Sequence, residues 1–478
     1  MTYAEAIQFL YGLQLFGANF GLETPRWLAA LAGNPHEKLR FIHVAGTNGK
    51  GSTCAMLESI YRAAGLRVGL YTSPHLVLFR ERIQINRRLI GEAEVARLVE
   101  KMRAQCSGFR PQASPGPAKA GTPNPDTSPT FFEFVTVLAL EYFAEQKCDL
   151  VIWETGLGGR LDATNIVTPL ASVITNIQFD HQQWLGDTLA KIAAEKAGII
   201  KPGVPVLTAA DGEALEVIEQ VARKENAPLK IVTKADEVGS SAFRRPESQN
   251  PPNRLKAELQ TILPLPGAHQ QLNAALAIAT IRALQKQIPV SEDQIRSGLV
   301  HVNWPGRLQL ITRADGQRFL LDGAHNPAGA ESLRAVLEGA PASGTASFDN
   351  TLHLAVPEAG APTLILGILG DKDWPAMCEI LAPLAARILL VPVGSERTAT
   401  PEELAEVCRR VNPTAKVACC GSLADALAQT AKERFVIISG SLYLVGEALE
   451  LFGISLEHAA NERALNEWGA VGPQKKPR

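Results

Sequence analysis

Several features that would assign a protein to a specialised class are scarce in this chain. It has only 7 cysteines in 478 residues, and none of them shows the paired spacing of a metal site. Its 47 basic residues nearly balance 49 acidic ones, so the formal net charge is -2 and nothing indicates nucleic-acid binding. No apolar stretch is long enough to cross a bilayer, and the N-terminus lacks the pattern of a leader. We therefore expect reduced thiols, a cytoplasmic location, and no nucleic-acid or membrane partner.

The length of the chain and the order of its apolar segments predict two α/β domains. A chain of 478 residues exceeds the usual size of one hydrophobic core. Short apolar runs alternate with helical patterns, which is typical of crossover units and a mostly parallel sheet. The pattern breaks at residues 303–307, where a proline and a glycine stand together. We predict a first domain over 1–304 and a smaller α/β domain over 305–478.

Nine apolar runs are predicted to be strands, five in the first domain and four in the second. They are Phe41–Ala45, Arg67–Tyr71, Asp149–Trp153, Ala171–Asn176, Val204–Leu207, Arg318–Leu321, Thr363–Leu366, Arg387–Val391 and Phe435–Ile438. Helical spacing predicts helices over Thr53–Ala64, Asn273–Lys286 and Pro401–Arg410. Polar stretches over 107–129, 239–254 and 340–350 cannot bury a core, so we predict disordered surface insertions there.

The segment HVAGTNGKGS, residues 43–52, predicts a phosphate-binding loop between a strand and a helix. Backbone N–H groups and the positive end of the helix dipole would point at a phosphate in this loop. Lys50 adds a positive charge, and Ser52 or Thr53 supplies a hydroxyl for Mg²⁺. The loop departs from the usual pattern at Val44, where glycine is expected, and at Gly51, which directly follows the lysine. A plain turn would not require Lys50, so the nucleotide-binding interpretation is preferred.

Polar residues also follow the other predicted strands of the first domain. Ser73 follows the second strand, Glu154 ends the third, and Asp180 and His181 follow the fourth. Ligands of open α/β sheets bind beyond the carboxyl ends of strands, so these residues are expected to meet Lys50 at one edge. A hydroxyl and a carboxylate suit Mg²⁺, which prefers oxygen ligands. Taken singly, Glu154 could cap a helix, Ser73 could begin a turn and His181 could be a surface residue; their convergence favours a site.

Lys196 is the most informative single residue of this region. In TLAKIAAEKAGIIKPG, residues 188–203, Lys196 lies on the apolar stripe of the helix and not on the face that holds Lys191 and Glu195. Burial would lower the pKa of its amine and leave it neutral near pH 7. Such an amine could act as a base, or it could take up CO₂ and become a carbamate that binds metal. The alternative is a lysine that extends to the surface.

Many linked motifs resemble those of the folylpolyglutamate synthase/dihydrofolate synthase family of Mur-type ATP-dependent amide ligases. They are HVAGTNGKGS, TSPHL, FRERIQIN, ETGLGGRLDATN, DHQQWLG, EKAGIIKPG, HQQLNAALA, PGRLQ and DGAHNP, in the family's order and approximate spacing. The similarity runs from about residue 2 to about residue 448, outside the polar insertions. The resemblance implies a P-loop-containing central domain and a smaller Rossmann-like C-terminal domain, and it favours a monomer.

The same resemblance implies roles for individual residues. The ATP-binding residues would be Thr47, Asn48, Gly49, Lys50, Gly51, Ser52, Asn273, Arg307, Asp322 and His325. Two Mg²⁺ ions would be held by Ser73 and Glu154 and by His181 and a carbamylated Lys196, and the catalytic set would be Lys50, Lys196, His181 and Glu154. The pterin of the substrate would lie near Asn19, Thr130, Leu161, Asp162 and Ala163. Thr24 departs from the pattern, because arginine is frequent there.

The implied reaction is ATP-dependent addition of L-glutamate to dihydropteroate, to the γ-carboxylate of folate glutamates, or to both, through an acyl phosphate. A Mur-type ligase for another carboxylate substrate would share the ATP site, but FRERIQIN and GLGGRLDATN resemble the folate branch. A simple P-loop kinase or ATPase would leave Lys196 and the second domain without a role. A non-catalytic folate- or nucleotide-binding protein would be expected to have lost Lys50, Glu154 or His181, and the sequence retains all three.

Overall fold

The computed structural model describes residues 1–14, 21–107, 129–233, 263–339, 362–454 and 462–467. Asn19 and almost all of the three predicted insertions lie outside the described residues. The strands are β1 Phe41–Ala45, β2 Val68–Tyr71, β3 Ile83–Ile85, β4 Arg88–Leu89, β5 Leu150–Glu154, β6 Ala171–Ile174, β7 Val206–Thr208, β8 Leu229–Ile231, β9 Gln309–Thr312, β10 Arg318–Leu321, β11 Thr363–Leu366, β12 Arg387–Leu390, β13 Lys416–Cys419 and β14 Phe435–Ser439.

The helices surround these strands and complete the alternation that the sequence predicts. They are α1 Tyr3–Gln14, α2 Glu23–Leu31, α3 Lys50–Ala63, α4 Glu92–Ser107, α5 Phe131–Glu145, α6 Gln182–Leu185, α7 Leu189–Ala197, α8 Gly212–Lys224, α9 Ala268–Ala283, α10 Glu292–Val300, α11 Pro327–Leu337, α12 Trp374–Leu381, α13 Pro401–Val411, α14 Leu423–Gln429 and α15 Leu442–Leu451. Among the described residues, no helix is both long enough and apolar enough to cross a membrane.

The strands form two sheets, and the predicted mostly parallel α/β class is confirmed. The first has the order β4-β3-β2-β5-β1-β6-β7-β8, and the second has the order β13-β12-β11-β14-β10-β9. Only the edges are antiparallel, where β3 and β4 extend the first sheet and β9 extends the second. The predicted division near residue 304 falls between the two sheets, and the exact domain boundary stays a prediction.

The central strand β1 is buried on both faces, which explains its continuous apolar sequence. Phe41 packs with Trp153 in the core on the side of α1, α4 and α5. Ile42 and Val44 of the same strand point to the opposite face, into a core formed with α3, α9 and α10. This double coverage leaves the carboxyl ends of the strands as the open edge of the sheet.

Two predicted helix starts were wrong, and both helices begin beside a cavity at the carboxyl ends of the first sheet. Helix α3 begins at Lys50 and not at Thr53, because its first turn is formed by the glycine-containing end of the P-loop. Helix α9 covers Ala268–Ala283 and not 273–286, because its first turn carries His269 and Gln270, which interrupt the apolar pattern but face the cavity.

The two sheets are joined by close packing of the loop after β2 onto the second sheet. Val77 and Leu78 are buried in the same core as β10, β14 and α15. Gly446 of α15 lies directly against the Leu76 carbonyl oxygen, where a Cβ atom would clash. The loop that carries Ser73 is therefore held by both halves of the molecule.

Candidate active site

One cavity of about 330 Å³ lies at the carboxyl ends of the first sheet and extends to the second sheet. Loops that are far apart in sequence line this cavity. Every described residue of the predicted site lines it, namely Thr47, Asn48, Gly49, Lys50, Gly51, Ser52, Ser73, Thr130, Glu154, Leu161, Asp162, Ala163, His181, Lys196, Asn273, Arg307, Asp322 and His325. The convergence expected from the strand ends is observed for Lys50, Ser73, Glu154, Asp180 and His181, and the residues that the family resemblance implies line the same cavity.

The P-loop is anchored to the neighbouring strand and opens toward the cavity. The Thr47 amide donates to the Asn176 carbonyl at 2.8 Å, and the Asn48 amide donates to the Asn176 side chain at 2.8 Å. Lys50 Nζ folds back and donates to the carbonyls of Gly46 and Thr47 at 3.1 and 3.0 Å. Within the described ranges, no side chain caps the N-terminus of α3. The first N–H groups of the helix are therefore free for an anion.

The unusual glycines of the loop have a packing reason. Gly49 has φ of +85°, and a Cβ atom there would clash with the Asn273 side chain. Gly51 lies against the Trp304 indole, where a Cβ atom would come within 2.9 Å of the ring. Ser52 lines the cavity, whereas Thr53 is completely buried away from it, so of the two hydroxyls Ser52 is the one available to a ligand.

Glu154 is a buried carboxyl group at the end of β5. It is 3% exposed, and its Oε2 accepts a hydrogen bond from the Ser73 amide at 3.1 Å. Burial raises its pKa to about 7, although the positive charge of Lys50 partly offsets this effect. A cation in the cavity would therefore stabilise the ionised form.

Lys196 is buried, as its position on the apolar stripe of α7 predicts. The side chain donates from Nζ to the Gly46 carbonyl at 2.8 Å. Burial, with the nearby charge of Lys50, lowers the pKa of its amine to about 7. The interpretation as a lysine that extends to the surface was wrong, and a large fraction of the amine is neutral at neutral pH.

His181 belongs to a polar cluster in which the two halves of the molecule meet. Asp180 Oδ1 accepts from Lys372 Nζ at 2.6 Å, and both side chains are buried. Asn326 Nδ2 donates to Asp180 Oδ2 at 3.2 Å, and His325 Nε2 lies 3.7 Å from the same oxygen. The chain thus places a carboxylate and a lysine from different sheets in direct contact across the cavity.

The titration of this cluster follows from its burial and charges. Burial, together with the charge of Lys372, lowers the pKa of His181 to about 3, so the imidazole is neutral at pH 7. Its Nε2 lies 3.3 Å from Lys372 Nζ. Burial alone would raise the pKa of Asp180, but His181, Lys372 and His325 outweigh it and hold the pKa well below its usual range. A second contact joins the halves, because the Asn48 and Asn326 side-chain amides donate to each other at 3.1 and 3.0 Å.

Asp322, from the second sheet, mainly organises its own loop. Its two oxygens accept from the amides of Leu308 and Ala324 at 2.9 and 3.0 Å. Arg307 lies one residue before Leu308, and its Nη1 donates to the carbonyl of Gly306 at 3.1 Å. The Asp322 carboxylate therefore fixes the turn that presents Arg307 to the cavity.

The residues predicted to contact a pterin are held by local hydrogen bonds. Thr130 caps α5, since its backbone amide donates to Glu133 Oε2 at 2.8 Å and its hydroxyl oxygen accepts from the Glu133 amide at 3.3 Å. Asp162 accepts from the amides of Leu157 and Thr164 at 2.8 and 3.0 Å. Thr130 and Asp162 therefore shape the wall of the cavity through the backbone around them.

Sequence reasoning missed several residues of the cavity, including Lys372, Arg82 and Arg397. It also missed Asn326, which contacts Asp180 beside the cavity. Lys372 could have been found by applying the strand-end rule to the second sheet, because GDKD follows β11. Arg82 lies inside the quoted motif FRERIQIN, but nothing in that motif says which of its arginines faces a cavity.

Comparisons with known proteins agree with this architecture. Residues 44–281 match the model of the Mur ligase middle domain, and residues 306–442 match that of the Mur ligase, glutamate ligase domain. The fold, the P-loop and the shared cavity thus define a Mur-type ligase.

Similar proteins define the family more narrowly. The chain is 35% identical to the dihydrofolate synthase/folylpolyglutamate synthase of Bacillus subtilis, over 93% of this chain and 98% of that protein. It matches the crystal structure of folylpolyglutamate synthase from Thermotoga maritima with a TM-score of 0.74 and 32% identity, over 96% and 99% of the two chains. The structure of E. coli FolC in complex with DHPP and ADP matches with a TM-score of 0.75 and 30% identity, over 96% and 99%. The chain belongs to the folylpolyglutamate synthase/dihydrofolate synthase family.

Proposed function

We propose that this protein is an ATP-dependent ligase that adds L-glutamate to dihydropteroate, to the γ-carboxylate of folate glutamates, or to both, and releases ADP and phosphate. The observation that carries the proposal is the single cavity in which a P-loop, a buried carboxyl group and a buried lysine of the first sheet meet a lysine and an arginine near the second. The family membership, and the relative solved with DHPP and ADP, support the same conclusion.

In this proposal the P-loop residues Thr47 to Ser52 bind the phosphates of ATP. Support comes from the uncapped N-terminus of α3 and from Lys50, whose ammonium group lies beside the loop carbonyls and can move to a phosphate oxygen. Asn273, Arg307, Asp322 and His325 would form the rest of the ATP site. Arg307 and His325 border the cavity from the second half, so a nucleotide bound here would touch both halves.

The side chains fit magnesium. Glu154 and Ser73 offer a carboxylate and a hydroxyl, and phosphate oxygens and water would complete the octahedral set that Mg²⁺ prefers. His181 and Lys196, the latter as a carbamate, would hold a second ion; the carbamate forms when the neutral amine attacks CO₂ and one proton leaves. Among the described residues, no group of three or more His, Cys, Asp or Glu side chains forms a metal cluster. When bound, Mg²⁺ would neutralise phosphate charge and polarise the γ-phosphoryl group.

The carboxylate of the folate substrate would be activated by transfer of the γ-phosphoryl group of ATP. The C–O–P linkage of an acyl phosphate forms as the β,γ bond of ATP breaks and ADP leaves. The amine of L-glutamate then attacks the acyl carbon, and phosphate leaves with the formation of the amide. Lys50 offsets the repulsion between two anionic reactants. The Asp180–Lys372 and Asn48–Asn326 contacts would keep the cavity closed and exclude water from the acyl phosphate.

The pterin end of the substrate would lie along Thr130 and Leu161 to Ala163, with Asn19 as a further predicted contact. We also propose a cytoplasmic location, as expected from the sequence, and a monomer, as the family resemblance implies. The substrate assignment is the part that a simple experiment can decide.

The test is mass spectrometry of the products formed from ATP, Mg²⁺ and L-glutamate, with dihydropteroate in one reaction and monoglutamyl tetrahydrofolate in another. A gain of one glutamate in both reactions indicates a bifunctional synthase, and a gain only in the second indicates a folylpolyglutamate synthase. If neither gains glutamate while ADP accumulates, the folate assignment is wrong and another carboxylate substrate must be sought.

A further inference from the structure

A short C-terminal segment crosses the molecule beyond the part that matches the family models. We call residues 462–467 the C-terminal strap; the matched glutamate ligase domain ends at residue 442. Glu462 accepts hydrogen bonds from the Phe79 amide at 2.6 Å and from the Tyr3 hydroxyl at 2.9 and 3.0 Å. Gln14 of α1 donates to the carbonyls of Ala464 and Glu467. The strap is therefore tied to the first half of the molecule, although it follows the second half in sequence.

The strap reaches the cavity, where Asn466 contacts a buried arginine. Arg82 donates from Nη2 to Asn466 Oδ1 at 2.5 Å and from Nε to His75 Nδ1 at 2.9 Å. His75 Nε2 lies 2.9 Å from the Glu462 carbonyl, and Asn466 Nδ2 donates to the His75 carbonyl at 3.0 Å. Arg82, His75 and the strap thus form one connected network.

The hydrogen bonds fix the protonation state of His75. A guanidinium group can only donate and a carbonyl can only accept, so Nδ1 must be the acceptor and Nε2 must carry the proton. A neutral ring and a carboxamide orient the guanidinium without neutralising its charge.

Arg82 is thus a buried cation that lines the cavity and forms no ion pair with any described residue, although the charges of Glu81 and Glu154 act on it from farther away. It is only 3% exposed, and none of the ion pairs found in the described part of the chain includes it. Its Nη1 makes no hydrogen bond within the same described ranges, so the N–H groups of Nη1 remain available to a ligand. The guanidinium lies 5.3 Å from the ring centre of Phe131, the residue after Thr130 on the proposed folate side of the cavity.

We propose that Arg82 binds a carboxylate of the substrate in the cavity, and that Asn466 of the C-terminal strap and His75 orient it for that contact. This inference rests on the proposed function for the identity of the substrate. A buried arginine that is already oriented loses little freedom on binding, and its planar donors match a carboxylate. Because Phe131 follows Thr130 on the proposed folate side of the cavity, its contact with Arg82 favours a carboxylate of the folate over that of free L-glutamate, and the two can be separated by experiment.

The test measures binding of monoglutamyl tetrahydrofolate, without L-glutamate and with a non-hydrolysable ATP analogue, to the wild type, Arg82→Gln and Arg82→Lys. We expect Arg82→Gln to bind the folate about 10- to 100-fold more weakly, as for loss of a hydrogen bond to a charged group, with binding of the ATP analogue unchanged. Arg82→Lys keeps the charge and should lose less. Should Arg82→Gln fail to fold, Arg82→Lys decides the question, because folate binding equal to wild type in a folded variant overturns the proposal.

The matched control is Arg80→Gln, since Arg80 is also buried and lies two residues away but does not line the cavity. It should bind folate like the wild type; an equal loss in Arg80→Gln would show that the effect is only structural. In turnover assays, a rise in KM for folate alone supports the folate carboxylate, and a rise in KM for L-glutamate alone overturns that assignment.

Asn466→Ala tests the role of the strap. It should raise the dissociation constant of the folate, as Arg82→Gln does, but by a smaller factor. Unchanged folate binding would contradict the positioning role. Failure of the proposed function is distinguishable from failure of this inference. The function fails if wild-type protein adds no glutamate, whereas the inference fails if wild type and Arg82→Gln bind the folate equally.

Discussion

Replacing Glu154 by glutamine should stabilise the protein at alkaline pH although it abolishes turnover. The carboxyl group is buried, and its pKa rises from an ordinary value of 4.5 to about 7 in the folded protein. Since the folded state then binds more protons than the unfolded state between these values, stability is lost as the pH rises through that window. The raised pKa lowers the unfolding free energy of the wild type by about 3 kcal/mol at pH 8, and this effect approaches zero near pH 4.

Glutamine keeps the shape of the side chain and can still accept the hydrogen bond from the Ser73 amide, but it carries no charge. Differential scanning calorimetry with EDTA should therefore give a melting temperature about 3–5 °C higher for Glu154→Gln than for wild type at pH 8, and a much smaller difference at pH 5. Added Mg²⁺ and ATP should narrow the difference at pH 8, because they stabilise the ionised carboxylate of the wild type.

The control is Glu216→Gln on the exposed face of α8. Its melting temperature should stay close to that of wild type at both pH 5 and pH 8. A Glu154→Gln variant that melts below wild type at pH 8, or a difference that is the same at pH 5 and pH 8, would refute the reasoning.

Three further substitutions test other parts of the site. Lys196→Ala should lower turnover at least about 100-fold while the protein still folds, since a buried lysine with a depressed pKa is easily replaced by an apolar residue; full activity would rule out the carbamate role. Gly49→Ala should raise the KM for ATP about tenfold or more, because φ of +85° is strained for alanine by about 1–2 kcal/mol and the methyl group would meet Asn273; an unchanged KM would count against it. Lys372→Met should destabilise the closed cavity by about 3–5 kcal/mol, because Asp180 is left as a buried charge without its partner, and Asp180→Asn in the same protein should restore part of the lost activity; no recovery would show that the pair does not act as a unit.

Much of the fold was predictable because central parallel strands are buried on both faces. Continuous apolar runs such as Phe41–Ala45 and Thr363–Leu366 became strands with the predicted bounds. The missed strands are short and lie at or next to the sheet edges, as with Ile83–Ile85 and Lys416–Cys419, where polar side chains replace the apolar run. Edge strands need only one partner, so their sequences carry a weaker pattern.

The first-sheet part of the site was predictable from strand ends, because topology alone brings those residues to one edge. The placement of Lys196 followed from helical periodicity. The strand-end rule could also have placed Lys372 at the cavity, but its contact with Asp180 and the contacts of Arg82 could not be predicted in this way. They depend on how the second sheet and the C-terminal strap pack against the first, and no local pattern in the sequence encodes that packing.

The most direct test of the account follows an oxygen atom through the reaction. The folate substrate would be prepared with ¹⁸O in its reacting carboxylate and incubated with the protein, ATP, Mg²⁺ and L-glutamate, and the released phosphate would be analysed by mass spectrometry. Activation as an acyl phosphate predicts one ¹⁸O atom in each phosphate released with the glutamylated product. Phosphate without ¹⁸O, in a reaction that still forms the product, would contradict carboxylate activation at this cavity.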